Sequence, residues 1–240
     1  MIDIHSHVLP GMDDGANDVA EALAMLRAAE GAGVKAIAAT PHIYDVSRPD
    51  LGREVDAAVR KLRREAAEEG IGVEIFSGGE LVMEPGLAEL VARNPQITLG
   101  GLGKYVLVEF PMFQVPPFAG QVVSEMKEAG LVPVIAHPTR SWGVVSTPEL
   151  VRELVERGAM VQINTGSLLG RFGGSARDAA LFLLEEGLAH VVASDCHSVE
   201  AVGMFVEGIE VIRNVLGDEA ARRMSVELPA EMIGFNGRKS

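Results

Sequence analysis

The chain alternates short apolar runs with longer amphipathic segments along most of its length. Runs of three to six residues that are almost wholly apolar predict strands buried on both faces. The segments between them carry apolar side chains at helical spacing, as at Val19, Leu23 and Leu26, and Asn17 or Asp18 can cap that helix. Seven strands are predicted, at residues 2–4, 34–39, 73–76, 105–110, 132–136, 160–163 and 191–193.

This alternation predicts an α/β fold in which helices cover a parallel sheet, either open and doubly wound or closed as a TIM-like barrel. Polar side chains at the carboxyl ends of six separate strands favour the barrel, where those ends meet on one face. An open sheet would gather its ligands near one crevice. No internal repeat, low-complexity tract or long linker interrupts the pattern, so residues 1–240 are expected to form a single domain.

The strongest local signal is the segment Asp3-Ile4-His5-Ser6-His7, because residues two apart in a strand point to the same face. His5 and His7 can therefore bind one metal ion; the alternative is a pair of imidazoles that only pack at a strand end. The other histidines favour the metal site, since of six in the chain only His190 precedes a predicted strand. The five at strand ends are His5, His7, His42, His137 and His197.

Carboxylates occupy similar positions along the chain. Asp14 follows Asp13 in an Asp-Asp-Gly turn, and Glu80, Glu109 and Asp195 follow or end apolar strands. A buried carboxylate is costly unless a cation or hydrogen bonds compensate its charge. The alternatives are a turn before a helix for the aspartate pair and an ion pair with arginine for the glutamates. Together with the histidines, these groups offer enough ligands for two or three divalent ions.

Composition excludes several classes of protein. The formal net charge of −13 opposes binding to a phosphate backbone, so no nucleic-acid partner is expected. No apolar run approaches the roughly 20 residues of a membrane span, and the first residues lack the features of a secretory signal, so membrane insertion is not expected. The single cysteine, Cys196, cannot form an internal disulfide, which agrees with a cytoplasmic location.

Cysteine-based phosphatase chemistry is also disfavoured. It needs an arginine six residues after the cysteine, where this chain has Val202, so Cys196 is interpreted as a small buried residue between ligands. Arg140 and Asp195 are the predicted catalytic residues. Arg140 follows a candidate ligand closely and can grip two phosphate oxygens; the alternative is a salt bridge at the rim. Trp142 either lines a pocket for an aromatic leaving group or covers the rim.

These motifs resemble the polymerase and histidinol phosphatase (PHP) superfamily, with Asp3-Ile4-His5-Ser6-His7 as the opening motif and Asp195-Cys196-His197 as the closing one. Within it, the chain resembles the bacterial tyrosine phosphatases of capsule and exopolysaccharide regulation (CpsB/YwqE-like) over nearly its whole length. The further segments that carry this resemblance are Asp13-Asp14-Gly15, Thr40-Pro41-His42, Gly79-Glu80, Val108-Glu109-Phe110 and Ala136-His137-Pro138-Thr139-Arg140.

The resemblance implies a distorted (β/α)7 TIM-like barrel of the PHP fold with two or three divalent metal ions, Mn²⁺ first and Fe, Zn or Co as alternatives. It implies a protein-tyrosine phosphatase that acts on a phosphotyrosine protein, commonly a bacterial tyrosine kinase of polysaccharide biosynthesis. We expect attack by a metal-activated hydroxide. The implied ligand sets are His5, His7, Glu80 and Asp195 for one ion, Glu80, Glu109 and His137 for a second, and Asp14, His42 and His197 for a third, with Arg140 on the phosphate.

Two segments depart from the family pattern. Basic residues often follow the position of His42, and an arginine often follows the closing motif, but here these stretches read Ile43-Tyr44-Asp45 and Ser198-Val199-Glu200. The alternative functions are a small-molecule phosphatase such as histidinol phosphatase and a non-catalytic metal-binding regulator, which the complete ligand set disfavours. A DNA exonuclease of the same superfamily is disfavoured by the acidic charge.

Overall fold

All strands of the structure run parallel to their neighbours. The computed structural model describes residues 1–111 and 114–237, and in this part of the chain every strand pair has the same direction. All seven predicted strands are present, and two short strands, β3 and β5, prolong two of them. The strands are β1 (Ile2–Ser6), β2 (Ala36–Ala39), β3 (His42–Ile43), β4 (Glu74–Ser77), β5 (Glu80–Val82), β6 (Tyr105–Glu109), β7 (Val132–Ala136), β8 (Met160–Asn164) and β9 (Val191–Ala193).

These strands close into a barrel. The sheet β1-β2-β4 is continuous with the sheet β3-β5-β6-β7-β8-β9, because only two residues separate β2 from β3 and β4 from β5. The last strand returns to the first: the backbone N–H of His7 donates to the carbonyl of Cys196 at 2.9 Å, and that of Asp195 to the carbonyl of His5 at 3.0 Å. When β2 and β3 are counted as one strand, and β4 and β5 as another, the barrel has seven strands. The predicted α/β barrel is confirmed.

Helices cover the outside of the barrel. The side chain of Asp18, one of the two predicted caps, accepts a hydrogen bond from the backbone N–H of Glu21 at 2.9 Å. No helix in the described part of the chain combines the length and apolar character needed to cross a membrane. The helices are α1 (Val19–Gly31), α2 (Leu51–Glu68), α3 (Leu87–Arg93), α4 (Ala119–Glu128), α5 (Trp142–Ser146), α6 (Leu150–Glu156), α7 (Thr165–Leu168), α8 (Gly174–Glu185), α9 (Val199–Leu216), α10 (Asp218–Arg222) and α11 (Leu228–Ile233).

The interior of the barrel changes from apolar to polar toward the carboxyl ends of the strands. Tyr105 and Leu107 belong to the apolar layer inside the barrel, whereas Val106 and Val108 belong to the layer beneath the helices. Glu109, which ends β6, continues the interior series. The polar site is therefore the top layer of an otherwise apolar barrel core.

Strand β1 needs an irregularity to present its histidines. Ile4 belongs to the interior layer, so strict alternation would turn His5 away from the interior and Ser6 toward it. The pairing of β1 with β2 shifts register between Asp3 and Ser6. His5 consequently lies beside His7, with their Nε2 atoms 3.2 Å apart.

Candidate metal centre

The predicted ligands meet at the carboxyl ends of the strands. Their nitrogen and oxygen atoms form overlapping groups of three or four, and within each group all atoms lie within 4.8 Å of one another. The structure therefore brings together residues that the chain separates by up to nearly its whole length. The groups contain His5, His7, Asp14, His42, Glu80, Glu109, His137, Asp195 and His197.

Four of these residues, His5, Glu80, His137 and Asp195, form what we call the inner ligand group. Their side chains are at most 6% exposed. Glu80 Oε1 lies 2.6 Å from His137 Nε2, and Glu80 Oε2 lies 3.2 Å from His5 Nε2. Asp195 Oδ1 is 3.4 Å from His5 Nε2. Because the two oxygens of Glu80 face different imidazoles, this carboxylate could contribute an oxygen to more than one metal site.

The outer ligand group consists of Asp14, His42 and His197 and lies nearer to solvent. The side chain of Asp14 is 68% exposed, and that of His197 is 29% exposed. Asp14 Oδ1 lies 3.3 Å from His197 Nε2 and 3.6 Å from His42 Nε2. His7 joins the two groups, because its ring stacks on that of His197 at 3.8 Å between centroids while its Nε2 lies 3.4 Å from Asp195 Oδ1.

The donor set fits divalent metal ions. Glu109 lies between the two groups, with Oε1 3.6 Å from His42 Nδ1. Three buried atoms of the centre have no hydrogen-bond partner among the described residues: His42 Nδ1, Glu80 Oε2 and Asp195 Oδ1. Buried polar atoms without partners are rare and costly. Here they face other imidazole nitrogens and carboxylate oxygens, which are the donors that first-row divalent ions prefer.

The carboxylates of the centre attract positive charge. Burial disfavours the charged imidazole of His5, but Glu80 and Asp195 outweigh burial and raise its pKa to about 9. Burial also opposes the charging of His42, whose pKa Glu109 and Glu80 nevertheless raise to about 11. Burial alone would raise the pKa of Asp195, yet the neighbouring histidines, His5 first, hold it well below its usual range. Divalent ions would supply the same positive charge without protons.

The backbone is strained where it presents two of the ligands. His137 has a φ of 29° and Asp195 a φ of 55°, in a region that residues with a Cβ rarely adopt. Such strain costs roughly 1–3 kcal/mol and tends to persist at functional sites. A close approach occurs at Gly15, where a Cβ would lie 2.0 Å from the carbonyl oxygen of His7. Glycine is therefore required for the aspartate turn to pack against β1.

Asp13 supports the centre without belonging to the ligand groups. Its Oδ2 lies 2.7 Å from His7 Nδ1 and accepts the backbone N–H of His42 at 2.9 Å. Its Oδ1 accepts the N–H of Gly15 at 2.9 Å. Burial would raise the pKa of Asp13, but His7 lowers it below its ordinary value. Asp13 thus fixes the ring of His7 so that Nε2 faces the centre. This role goes beyond the helix-entry turn that the sequence suggested for the aspartate pair.

Two further supporting residues lie on β8 and were missed by the sequence interpretation. Gln162 Oε1 lies 3.1 Å from His5 Nδ1 and accepts the backbone N–H of His137 at 3.2 Å. Asn164 Nδ2 donates to Asp195 Oδ2 at 3.3 Å. Both are buried, and they stand two residues apart in an otherwise apolar strand. Their spacing could have revealed them, because residues two apart in a strand lie on the same face.

Arg140 lies at the edge of the inner ligand group. Its NH1 donates to Asp195 Oδ2 at 3.1 Å, and its Cζ lies 5.2 Å from the ring centroid of Phe172. The side chain is 34% exposed, so N–H groups remain available to a substrate. The two roles considered from the sequence, a salt bridge at the rim and an oxyanion contact, are therefore compatible.

Phe172 lines two of the cavities that open beside the centre. The inner cavity, of about 290 Å³, borders Asp195 and His197. The outer cavity, of about 390 Å³, borders Arg140 and includes Trp142 in its lining, so this tryptophan does more than cover the rim. The other side chains of the inner cavity include Asn164, Arg171 and Met204, and those of the outer cavity include Val145, Ser175 and Ala176.

Cys196 and His190 stand outside the ligand groups. Cys196 is fully buried, and burial raises the pKa of its thiol well above its ordinary range, as expected of a small packing residue. His190 Nδ1 accepts the backbone N–H of Val161 at 3.1 Å. This bond lies near the start of β8 and β9, at the opposite end of the barrel from the ligands.

Comparison with known proteins identifies the family. A family model described as capsular polysaccharide synthesis, CpsB/CapC, matches residues 1–234. The chain belongs to the CpsB/CapC family. The resemblance recognised from the motifs is thereby confirmed, and the matched range includes the positions of all nine candidate ligands.

Curated members of the CpsB/CapC family bear the name tyrosine-protein phosphatase. YwqE of Bacillus subtilis is 37% identical over 220 residues, which cover 91% of this chain and 86% of the relative. CpsB of Streptococcus agalactiae is 29% identical over 241 residues, which cover 95% of this chain and 96% of the relative. The similarity therefore spans the barrel and is not confined to the ligand motifs.

Solved structures give the same family and the same fold. A chain from the crystal structures of YwqE from Bacillus subtilis and CpsB from Streptococcus pneumoniae, described as unique metal-dependent tyrosine phosphatases, matches with a TM-score of 0.89 and 34% identity. That match covers 98% of this chain and 94% of the other. Histidinol phosphate phosphatase from Lactococcus lactis matches with a TM-score of 0.54 at 12% identity, which shows a shared fold alone.

Proposed function

We propose that this chain is a metal-dependent phosphatase that hydrolyses phosphotyrosine in a protein. The observation that carries the proposal is the convergence of nine imidazole and carboxylate groups beside a half-exposed arginine. The names of its relatives support the phosphotyrosine substrate. The family description supports a role in polysaccharide synthesis, and we infer that the substrate is a bacterial tyrosine kinase of that process. We infer action in the cytoplasm, which the unpaired thiol of Cys196 supports.

We infer that the centre holds two or three ions, with Mn²⁺ as the first candidate and Fe, Zn or Co as the alternatives. The mixture of imidazoles and carboxylates suits this group of metals. Glu80, His5, His137 and Asp195 would hold the inner ions, and the outer ligand group would hold the third. Glu109 would complete a site beside Glu80, because its Oε1 also lies near His42.

Catalysis would combine a charged centre with an oriented substrate. Bound divalent ions would lower the pKa of water and would neutralise phosphate charge. Arg140 would donate hydrogen bonds to phosphate oxygens while its contact with Asp195 keeps the guanidinium in place. The phenyl ring of the substrate would enter the inner cavity, where Phe172 and Met204 form apolar walls beside His197.

Phosphate release by metal-reconstituted protein tests the proposal. Protein stripped of metal and loaded with Mn²⁺, Fe²⁺, Zn²⁺ or Co²⁺ would be assayed on a phosphotyrosine peptide, a phosphoserine peptide and histidinol phosphate. We expect the phosphotyrosine peptide to be preferred by at least about tenfold in kcat/KM. Preference for histidinol phosphate would indicate a small-molecule phosphatase. Metal binding without hydrolysis of any ester would indicate a non-catalytic regulator.

A second arm of the same assay tests Arg140. Arg140→Lys keeps the positive charge but loses the planar fork that can grip two oxygens, so we expect kcat/KM to fall about tenfold or more. Arg152→Lys is the matched control, because Arg152 forms an exposed ion pair with Glu186 on the outside of the barrel. Equal activity of the two variants would remove Arg140 from the mechanism.

A further inference from the structure

Exposed aromatic side chains cluster around the mouth of the barrel. Among residues 1–111 and 114–237, the exposed aromatic residues are Tyr44, Trp142 and Phe172, and all three stand on segments that follow barrel strands. Tyr44 stacks on the ring of His42 at 5.5 Å between centroids. Large apolar side chains are costly to expose together and commonly mark a binding surface. Trp142 and Phe172 line the cavity that Arg140 borders, and Tyr44 lies against a candidate ligand.

Phe172 separates two compartments of this surface. It lines the inner cavity together with His197 and the outer cavity together with Arg140. Its ring packs against Gly166, where an added Cβ would lie 2.8 Å from Phe172 Cε2. The ring therefore lies against α7, where it forms part of the lining of both cavities. A substrate whose phenyl ring occupies the inner cavity leaves the outer cavity free for a second group.

The outer cavity suits an uncharged apolar group. Its walls include Trp142, Val145 and Ala176, and none of the described residues that line it carries a carboxylate. The charged group in its lining is Arg140, which is already paired with Asp195. A volume of about 390 Å³ is within the usual range of ligand pockets and exceeds what one methyl group would fill. An apolar side chain bound there would cover the exposed face of Trp142.

We propose that the outer cavity is a specificity subsite for an apolar side chain one or two residues from the phosphotyrosine. This inference rests on the proposed phosphotyrosine phosphatase activity. Neighbouring residues of an extended peptide advance by about 3.3 Å each, so a side chain one or two positions away can pass Phe172 and enter the second cavity. The subsite would make the enzyme select a polypeptide, whereas a free phosphate ester uses the inner cavity alone.

Peptide kinetics test the subsite. The reference substrate would be a phosphotyrosine peptide whose other residues are glycine and serine. Its variants would carry a single leucine one or two residues before or after the phosphotyrosine, and phenyl phosphate would serve as the small substrate. We expect leucine at one position to raise kcat/KM about tenfold over the glycine and serine peptide. Trp142→Ala removes a wall of the outer cavity, and Ser175→Phe fills the cavity with a larger side chain. Each substitution should abolish the gain in kcat/KM. Leu102→Ala, an exposed residue on the segment before β6, should retain it.

The outcomes separate failure of the subsite from failure of the proposed function. Hydrolysis of phenyl phosphate and of all peptides without any preference for leucine would overturn the subsite alone. An unchanged leucine preference in both Trp142→Ala and Ser175→Phe would also overturn the subsite alone. Thermal melting would show that both variants fold. Absence of hydrolysis of every ester by metal-loaded protein would instead overturn the proposed function.

Discussion

The inner and outer ligand groups use the same residue types in opposite surroundings. The carboxylate of Glu80 is fully buried, whereas that of Asp14 is 68% exposed. Water can solvate Asp14 when no ion is bound, but it cannot reach Glu80, whose charge needs cations or protonated histidines. We therefore expect the inner group to hold its ions tightly and the outer group to exchange its ion.

Replacement of Asp195 should have the largest effect. Asp195→Asn keeps the shape but removes a buried charge that contacts His5, His7 and Arg140, so we expect kcat to fall about a thousandfold with the fold retained. Asp178→Asn, on the exposed face of α8, is the matched control. Turnover on a phosphotyrosine peptide and circular dichroism measure the two properties. Normal activity with full metal content would exclude a role for Asp195.

Replacement of Asp13 should weaken metal binding without removing a ligand. Asp13→Asn loses the carboxylate that orients His7 at 2.7 Å, and such supporting partners typically contribute about 10–100-fold to metal affinity. Titration of metal-free protein with Mn²⁺ would measure the change. Activity should recover at high metal concentration. A loss that excess metal does not restore would mean that Asp13 acts in some other way.

Replacement of Asp14 should have a smaller effect, because solvent can take the place of an exposed ligand. We expect Asp14→Asn to lower kcat/KM by about tenfold and to release about one ion per chain, as measured by metal analysis after dialysis. The adjacent pair sharpens the comparison, since Asp13 is buried beside His7 and Asp14 faces solvent. A loss as large as that of Asp195→Asn would contradict the distinction between the two groups.

Chelation should lower the thermal stability of the protein by an amount that depends on pH, and this shift in melting temperature is the smallest of the expected effects. Without metal, the pKa of His5 is raised from 6.5 to about 9, so its pairing with Glu80 and Asp195 stabilises the fold fully below pH 6.5 and is lost as the pH rises through 9. We expect the chelated protein to melt roughly 5 °C lower at about pH 10 than at about pH 6, beyond any change in the loaded protein. Thermal melting by circular dichroism with and without chelator would measure this. A pH-independent difference would contradict the charge arrangement.

Much of the site could be predicted because barrel strands repeat a simple rule. An apolar run followed by His42, Glu80, His137 or Asp195 places that side chain at the carboxyl end of a buried strand. In a closed barrel these ends share one face, so the positions of the ligands follow from local spacing. Gln162 and Asn164 obey the same alternation, but an amide in a strand resembles an ordinary packing residue until its partners are known.

Residue types and their spacing along the chain predicted by themselves the seven strands and the nine candidate ligands, and the resemblance of the motifs indicated the family. Only the tertiary structure decided which carboxylates lose their water, how Asp13 orients His7, and that Phe172 divides the mouth into two cavities. The physical reason is distance along the chain. Strand phase depends on neighbours two residues apart, whereas burial and side-chain contacts depend on barrel closure, which brings Cys196 back to His7.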